Sequence, residues 1–254
     1  MPRYFLEVSY KGTRFSGFQI QQNANSIQAE LQNAFETIKK PVVMTGSSRT
    51  DSGVHAIQNY LHFDLGEDID DRIIYKLNAI LPADIMIRNI IRVKAGAHCR
   101  FDAISREYKY FIYRKKNPFL NDRAYYFPYK IDFEAMELAA GIIKKHTDFT
   151  SFSRRNTQVK TFECKIIDSQ WKWKNDILVY RVKGNRFLRG MVRALTATML
   201  KVGRNKLSVT EFEDILKSGN CTEASFGVPA HGLFLISVNY APEYFADGQN
   251  INLL

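Results

Sequence analysis

Cysteine is scarce in this 254-residue chain: there are three, Cys99, Cys164 and Cys221, far apart and odd in number. That excludes a disulfide framework and a Cys-x-x-Cys metal or redox motif. None of the five histidines falls at a metal-ligand spacing such as H-E-x-x-H. Nucleotide-cofactor motifs are missing as well, so the expectation is a protein with no metal and no cofactor. No apolar run is long enough to cross a bilayer, which excludes a membrane span. The opening Met1-Pro2-Arg3-Tyr4-Phe5-Leu6-Glu7 has an acid at position 7 and no long apolar stretch, and is not expected to be a secretory signal. With so little cysteine, a reducing compartment, the cytoplasm, is the expected location.

What is present is enough apolar material for a sizeable core. Hydrophobic residues make up 45% of the chain and aromatics 13%, which excludes disorder as the main state. The net charge is +10, and its distribution says more than its size. Residues 1–105 balance at +1, residues 106–206 at +14 and residues 207–254 at −5. A focused positive field points to a polyanion, either nucleic acid or an anionic membrane surface; the plain alternative is a soluble basic surface without a partner.

The pattern reads as strands interleaved with a few helices. Tyr4, Leu6, Val8 and Tyr10 alternate as in a half-buried strand. Ser26 caps a helix whose stripe is Ile27, Leu31, Ala34, Phe35 and Ile38. Pro41 to Met44 begins a short strand, Gln58 to Leu65 is another, and Ile69, Ile73, Leu77 and Ile80 mark a second helix ended by Pro82. Strands follow at Ile85–Val93 and Glu107–Tyr113. Asp132 caps a third helix, and Cys164–Trp173 and Ile177–Lys183 pair across a turn at Lys174-Asn175-Asp176. Phe187–Val202 is a long helix closed by Gly203, Thr210 with Glu213 makes a capping box, and Leu233–Asn239 is the last strand. The expected class is α+β: two similar, ferredoxin-like α+β halves, residues 1–105 and 106–254, with a mostly antiparallel mixed sheet and a central cleft.

The densest polar cluster is Ser47-Ser48-Arg49-Thr50-Asp51-Ser52-Gly53-Val54-His55, a loop between two strands. Asp51-Ser52-Gly53 alone is ordinary turn chemistry. The functional alternative is a carboxylate nucleophile or base at a cleft rim, beside an arginine. Tyr108 and Tyr110 share one strand face, where alternating tyrosines are usually core. Arg193 lies in a helix otherwise rich in apolar and small residues, so it either needs a partner or joins Arg189 on a solvent-facing stripe. Trp171 and Trp173 alternate with Lys172 and Lys174, one face core and the other solvated. His55 is read as structural.

Arg49-Thr50-Asp51-Ser52-Gly53-Val54-His55-Ala56 resembles the R-T-D-x-G-V-H-A segment of the TruA family of tRNA pseudouridine synthases. Further blocks are similar in the family's order. They are Tyr10 to Gln19, Ser26-Ile27-Gln28 with Leu31, and His98-Cys99-Arg100-Phe101 with Arg106-Glu107-Tyr108-Lys109-Tyr110. Asp148 to Phe152, Asn185 to Leu188 with Met191-Val192-Arg193, and Pro229-Ala230 with Gly232-Leu233 complete the set. Together they span roughly residues 4 to 240. The chain departs from the family where Ser48 stands for the usual Gly, Ser52 for Ala, Phe18 for Trp, and Ala194 for Asn.

The resemblance implies isomerisation of uridine to pseudouridine in the anticodon stem-loop of tRNA, just 3′ of the anticodon, by a cytoplasmic homodimer that uses neither metal nor cofactor. The alternatives are the same chemistry on another RNA, or a non-catalytic RNA-binding module. Neither DNA nor a membrane is expected as a partner. By the same resemblance Asp51 is the essential acid, Arg49 stands in the position the flipped base vacates, Tyr108 stacks on the base, and Arg193 pairs with Asp51. The basic block then tracks phosphates through Arg114, Lys115 and Lys116, through Arg154, Arg155 and Lys160, and through Arg186, Arg189 and Arg204.

Overall fold

The computed structural model describes residues 1–70, 72–154 and 159–245. Arg155 lies outside them. The fold is mixed α+β with a mostly antiparallel sheet, and the chain divides into two compact units: Met1–Ile104 with the segment from Leu235 onward, and Ser105–Phe234.

In the first unit the strands are β1 (Arg3–Tyr10), β2 (Thr45–Gly46), β3 (His55–Asp64), β4 (Ile85–Val93) and β9 (Leu233–Asn239), and the helices α1 (Ile27–Thr37) and α2 (Ile73–Ile80). Strand order is β4-β1-β3-β9, with β2 beside β3. Both partners of β1 are antiparallel. The side chain of Ser26 accepts from Ala29 N and starts α1 as the sequence predicts. Pro41 to Met44 is irregular rather than strand.

The expectation of a half-buried first strand is corrected. Tyr4 stacks on Phe63, which also meets Phe35, so one face of β1 is core. The other face is covered too: Phe5 packs on Tyr60, Tyr240 and Phe245. Glu7 is therefore buried, and Gln58 Nε2 donates to its Oε1 at 3.0 Å. A buried carboxylate without such partners would cost several kcal/mol.

One buried group makes this unit sensitive to acid. His62 is 8% exposed, lies 3.2 Å from Cys99 Sγ and packs against His98. Burial, the His98 charge and Arg3 push its pKa down to about 4, against the opposing pull of Asp64 and Asp102. The unfolded chain thus binds a proton near pH 6.5 that the folded chain refuses until about pH 4. Stability contributed by neutral His62 is complete above pH 6.5 and is lost as pH falls through that window, by about 1–3 kcal/mol. Urea titrations at pH 7 and pH 4.5 are expected to differ by that much more in wild type than in His62→Gln; equal differences would remove His62 from the account.

The second unit contains β5 (Ser105–Tyr113), β6 (Tyr125–Tyr126), β7 (Ile166–Lys174) and β8 (Ile177–Gly184), with α3 (Phe133–Ile143), α4 (Met191–Gly203) and α5 (Val209–Ser218). The order β5-β8-β7 is antiparallel throughout, and β6 joins β5 in parallel. Trp171 is buried, stacks on Tyr180 at 4.9 Å and donates its indole N–H toward Met199 Sδ. Trp173, on the same strand face near the hairpin tip, is 42% exposed, so the shared face is core at one end only.

Helix ends differ from expectation in four places: α2 begins at Ile73 and not at Ile69, α4 begins at Met191 and not at Phe187 because Gly190 takes a left-handed turn at φ 75°, and two caps shift. The capping box is Ser208 with Glu211, two residues before the predicted pair: Ser208 Oγ accepts from Glu211 N, and Ser208 N donates to Glu211 Oε2. Gly203 lies inside α4 instead of closing it, and Asn205 takes the left-handed turn at φ 55°. Gly203 is there for close packing, since an added Cβ would sit 2.4 Å from Met136 Sδ.

Candidate active site

The loop that follows β2 is held on every side. Ser47 N donates to Tyr60 O, and Asn59 Nδ2 donates to Ser48 O. Tyr10 OH and Thr50 Oγ1 share a buried hydrogen bond of 2.8 Å. Phe18 N donates to Thr50 O, and Val54 N donates to Asp51 O to close the turn. His55, 1% exposed, accepts from Gly12 N through Nδ1 at 3.1 Å, the structural role read from the sequence. Backbone meets backbone so closely at Gly12 that a Cβ would lie 2.0 Å from Val54 O. Ser48, where the family usually has Gly, is buried and outside the positive-φ region, so serine fits there without strain.

Asp51 is half-buried just after buried Thr50, and Arg49 is exposed just before it. The loop therefore presents a carboxylate and a guanidinium two residues apart from a fixed backbone. Such preorganisation is what a reacting carboxylate needs, because aim is set before substrate arrives. Sequence reasoning missed Tyr10 and Thr50 as the clamp. Their hydrogen bond joins residues forty positions apart, and no local pattern carries it.

Tyr108 and Arg193 belong to the second unit. Tyr108, 8% exposed, sits opposite Val182 on β8 and meets the Phe187 ring edge-on at 5.2 Å. Tyr110, on the same face, is fully buried and donates its hydroxyl to Pro229 O at 2.7 Å. Burial pushes the Tyr110 pKa up, with Arg193 pulling the other way. Of the two tyrosines the sequence left open, Tyr110 is thus the one committed to the core. Arg193 is half-buried and donates from Nη2 and Nε to Val228 O at 2.8 and 3.2 Å.

Not every cation of the basic block is available to a ligand. Arg181 is clamped by Glu107 at 2.8 and 2.9 Å and by Asp168 at 2.7 Å. For Glu107, burial pushes the pKa up, but Arg181, with Lys109 and Lys183, outweighs it and holds the carboxyl below its usual range. Lys115, Lys116, Arg154, Lys160 and Arg189 are exposed. Among the described residues no group of three or more His, Cys, Asp or Glu could hold a metal ion, and no helix is long and apolar enough to cross a membrane.

Comparison with known proteins places this arrangement. The family model described as tRNA pseudouridine synthase matches residues 7–102 and 146–241. A tRNA pseudouridine synthase A of Parabacteroides distasonis is 42% identical over 248 residues, covering 96% of this chain and 98% of that protein. Its namesake in Bacteroides fragilis is 43% identical over 247 residues, with 96% and 98% covered. The Staphylococcus aureus protein of the same name is 35% identical over 237 residues, covering 92% and 90%. With identity at this level along nearly its whole length, the chain belongs to the tRNA pseudouridine synthase family.

Proposed function

We propose that this protein isomerises uridine to pseudouridine in the anticodon stem-loop of tRNA, with Asp51 as its essential carboxylate. The observation that carries the reading is the clamped loop, which holds Asp51 half-exposed beside buried Thr50 and three residues before buried Val54. The reaction conserves every atom. The N–C glycosidic bond to the base breaks, the base turns within the site, its C5 bonds to the same ribose carbon, and the proton lost from C5 is balanced by one taken up at the freed N1. A carboxylate serves this chemistry by meeting the positive charge that develops at C1′.

A base inside a stem must first leave the stack, at a cost of a few kcal/mol. Arg49, exposed beside Asp51, is assigned to the vacated position. Tyr108 is assigned to stack on the extruded base, an interaction worth about 1–3 kcal/mol. Arg193 is assigned to bind at the reacting site as the cation that pairs with Asp51 and aims it. The unit that carries the loop then acts as the catalytic domain and residues 105–234 as a basic RNA-binding domain, the two being ferredoxin-like halves. A cytoplasmic homodimer, with one tRNA reaching across both subunits, follows from the family resemblance.

The direct test is to incubate the purified chain with a tRNA transcript lacking pseudouridine and map products by carbodiimide primer extension. New stops just 3′ of the anticodon are expected. Stops elsewhere would move the activity to another site, and binding without any stop would leave a non-catalytic module.

A further inference from the structure

The second unit holds a basic cleft that the reaction above does not use. It has a volume of about 430 Å³ and is formed by residues 129–132, before and at the start of α3, and by Gly203, Arg204 and Asn205 at the end of α4. At this cleft the Arg204 guanidinium lies 3.9 Å over the centroid of the Tyr129 ring. Phe127 braces that ring edge-on at 5.0 Å, and Tyr125 braces Phe127 in turn. Tyr129 nevertheless remains 46% exposed.

Arg204 differs from the other arginines held in place in this unit. Arg181 spends its donors on carboxylates and Arg193 spends two on a carbonyl. The Arg204 guanidinium makes no hydrogen bond or ion pair among the described residues; only its backbone N–H is used, toward Leu200 O and Lys201 O. Its planar fork of donors is fixed by stacking and otherwise unspent, and that geometry suits a phosphate.

The surrounding field has the matching sign. Lys130 lines the cleft, Lys201 and Lys206 flank it, and all three are exposed. No acidic residue occurs between Asp176 and Glu211. The one carboxylate in the lining, Asp132, accepts from Ala135 N as the cap of α3. Asp132 N donates to Gly203 O, so the positive end of α3 meets the negative end of α4. The two helix dipoles oppose each other there, leaving the side chains to set the potential.

We propose that this cleft is an RNA contact in which a backbone phosphate sits on Arg204 and Lys130 and the adjoining unpaired base stacks on the Arg204–Tyr129 pair. A planar cation layered on an aromatic ring accepts any base, so the contact grips a strand without reading its sequence. The inference rests on the RNA-modifying function proposed above and adds to it a holding site.

Binding of an unmodified tRNA transcript to the full chain, measured by filter retention across a salt series, tests it. Arg204→Ala and Tyr129→Ala are each expected to weaken binding about tenfold, and Arg204→Ala to lower the salt slope by about one. Arg204→Lys, which keeps the charge and loses the plane, falls between. Lys172→Ala, removing an exposed cation on β7, is the charge control. The proposal is overturned if Arg204→Ala binds within twofold of wild type or no worse than Lys172→Ala, or if wild type binds no tRNA. Should Tyr129→Ala fail to fold, the two Arg204 variants decide alone. Conversion by wild type alongside unaffected Arg204 variants removes the cleft and keeps the function; weakened variants with no conversion by wild type do the reverse.

Discussion

Asp51→Asn is expected to bind tRNA as wild type does and to form no detectable pseudouridine, a loss of at least about 10³-fold, or about 4 kcal/mol of barrier. The substitution keeps size and planar shape and replaces one carboxylate oxygen by an amide NH2. The Asp51 contact that closes the turn is made by its main-chain carbonyl to Val54 N, which the substitution keeps. An active Asp51→Asn would therefore end the assignment without any question of folding. The same primer-extension assay separates the other assigned residues. Arg49→Ala and Tyr108→Leu should lose turnover at saturating tRNA by smaller factors, because they hold the base and do not meet the charge at C1′. Arg193→Gln should cost nearly as much as Asp51→Asn if it aims that carboxylate, and adding it to Asp51→Asn should then cost little more.

Affinity for tRNA is expected to fall by roughly 10³–10⁵-fold between about 50 and 200 mM salt, the loss for about six to ten phosphate contacts. The balance of +14 across residues 106–206 comes from 23 Lys and Arg against 9 Asp and Glu, and not all of those cations can act, because Arg181 is committed to Glu107 and Asp168. Enough exposed Lys and Arg remain to meet that count. A slope corresponding to one or two contacts, read from the same salt series, would mean that the basic block serves solubility and not grip.

The parts of the fold with a local cause were legible in the chain. Ser26 and Asp132 announce helix starts because a side-chain oxygen one turn away satisfies a backbone N–H, and both do so. The β7–β8 hairpin follows from Asn175, which adopts φ 54° in the turn. What was not legible depends on distant partners. The burial of Phe5 and Glu7 requires Tyr240 and Phe245, more than two hundred residues away, to cover the far face of β1. Gly203 reads as a helix stop until Met136 is seen pressing against it. At the site, the acid and its neighbouring arginine were visible as a motif. The rigidity that makes them usable was not, because Tyr10, Gly12 and Phe18 supply it from another segment.

The return of the chain after residue 234 to the first unit also dictates an order of assembly. The second unit is one unbroken segment, whereas the first lacks β9, the strand that pairs with β3, until the second unit has been translated. On the ribosome, β3 therefore waits with its pairing edge open while a complete neighbouring unit emerges, and the sheet beneath the clamped loop closes last. Late closure of a long-range strand pairing is slow and leaves an edge open to wrong partners, so misassembly during synthesis should begin at that edge.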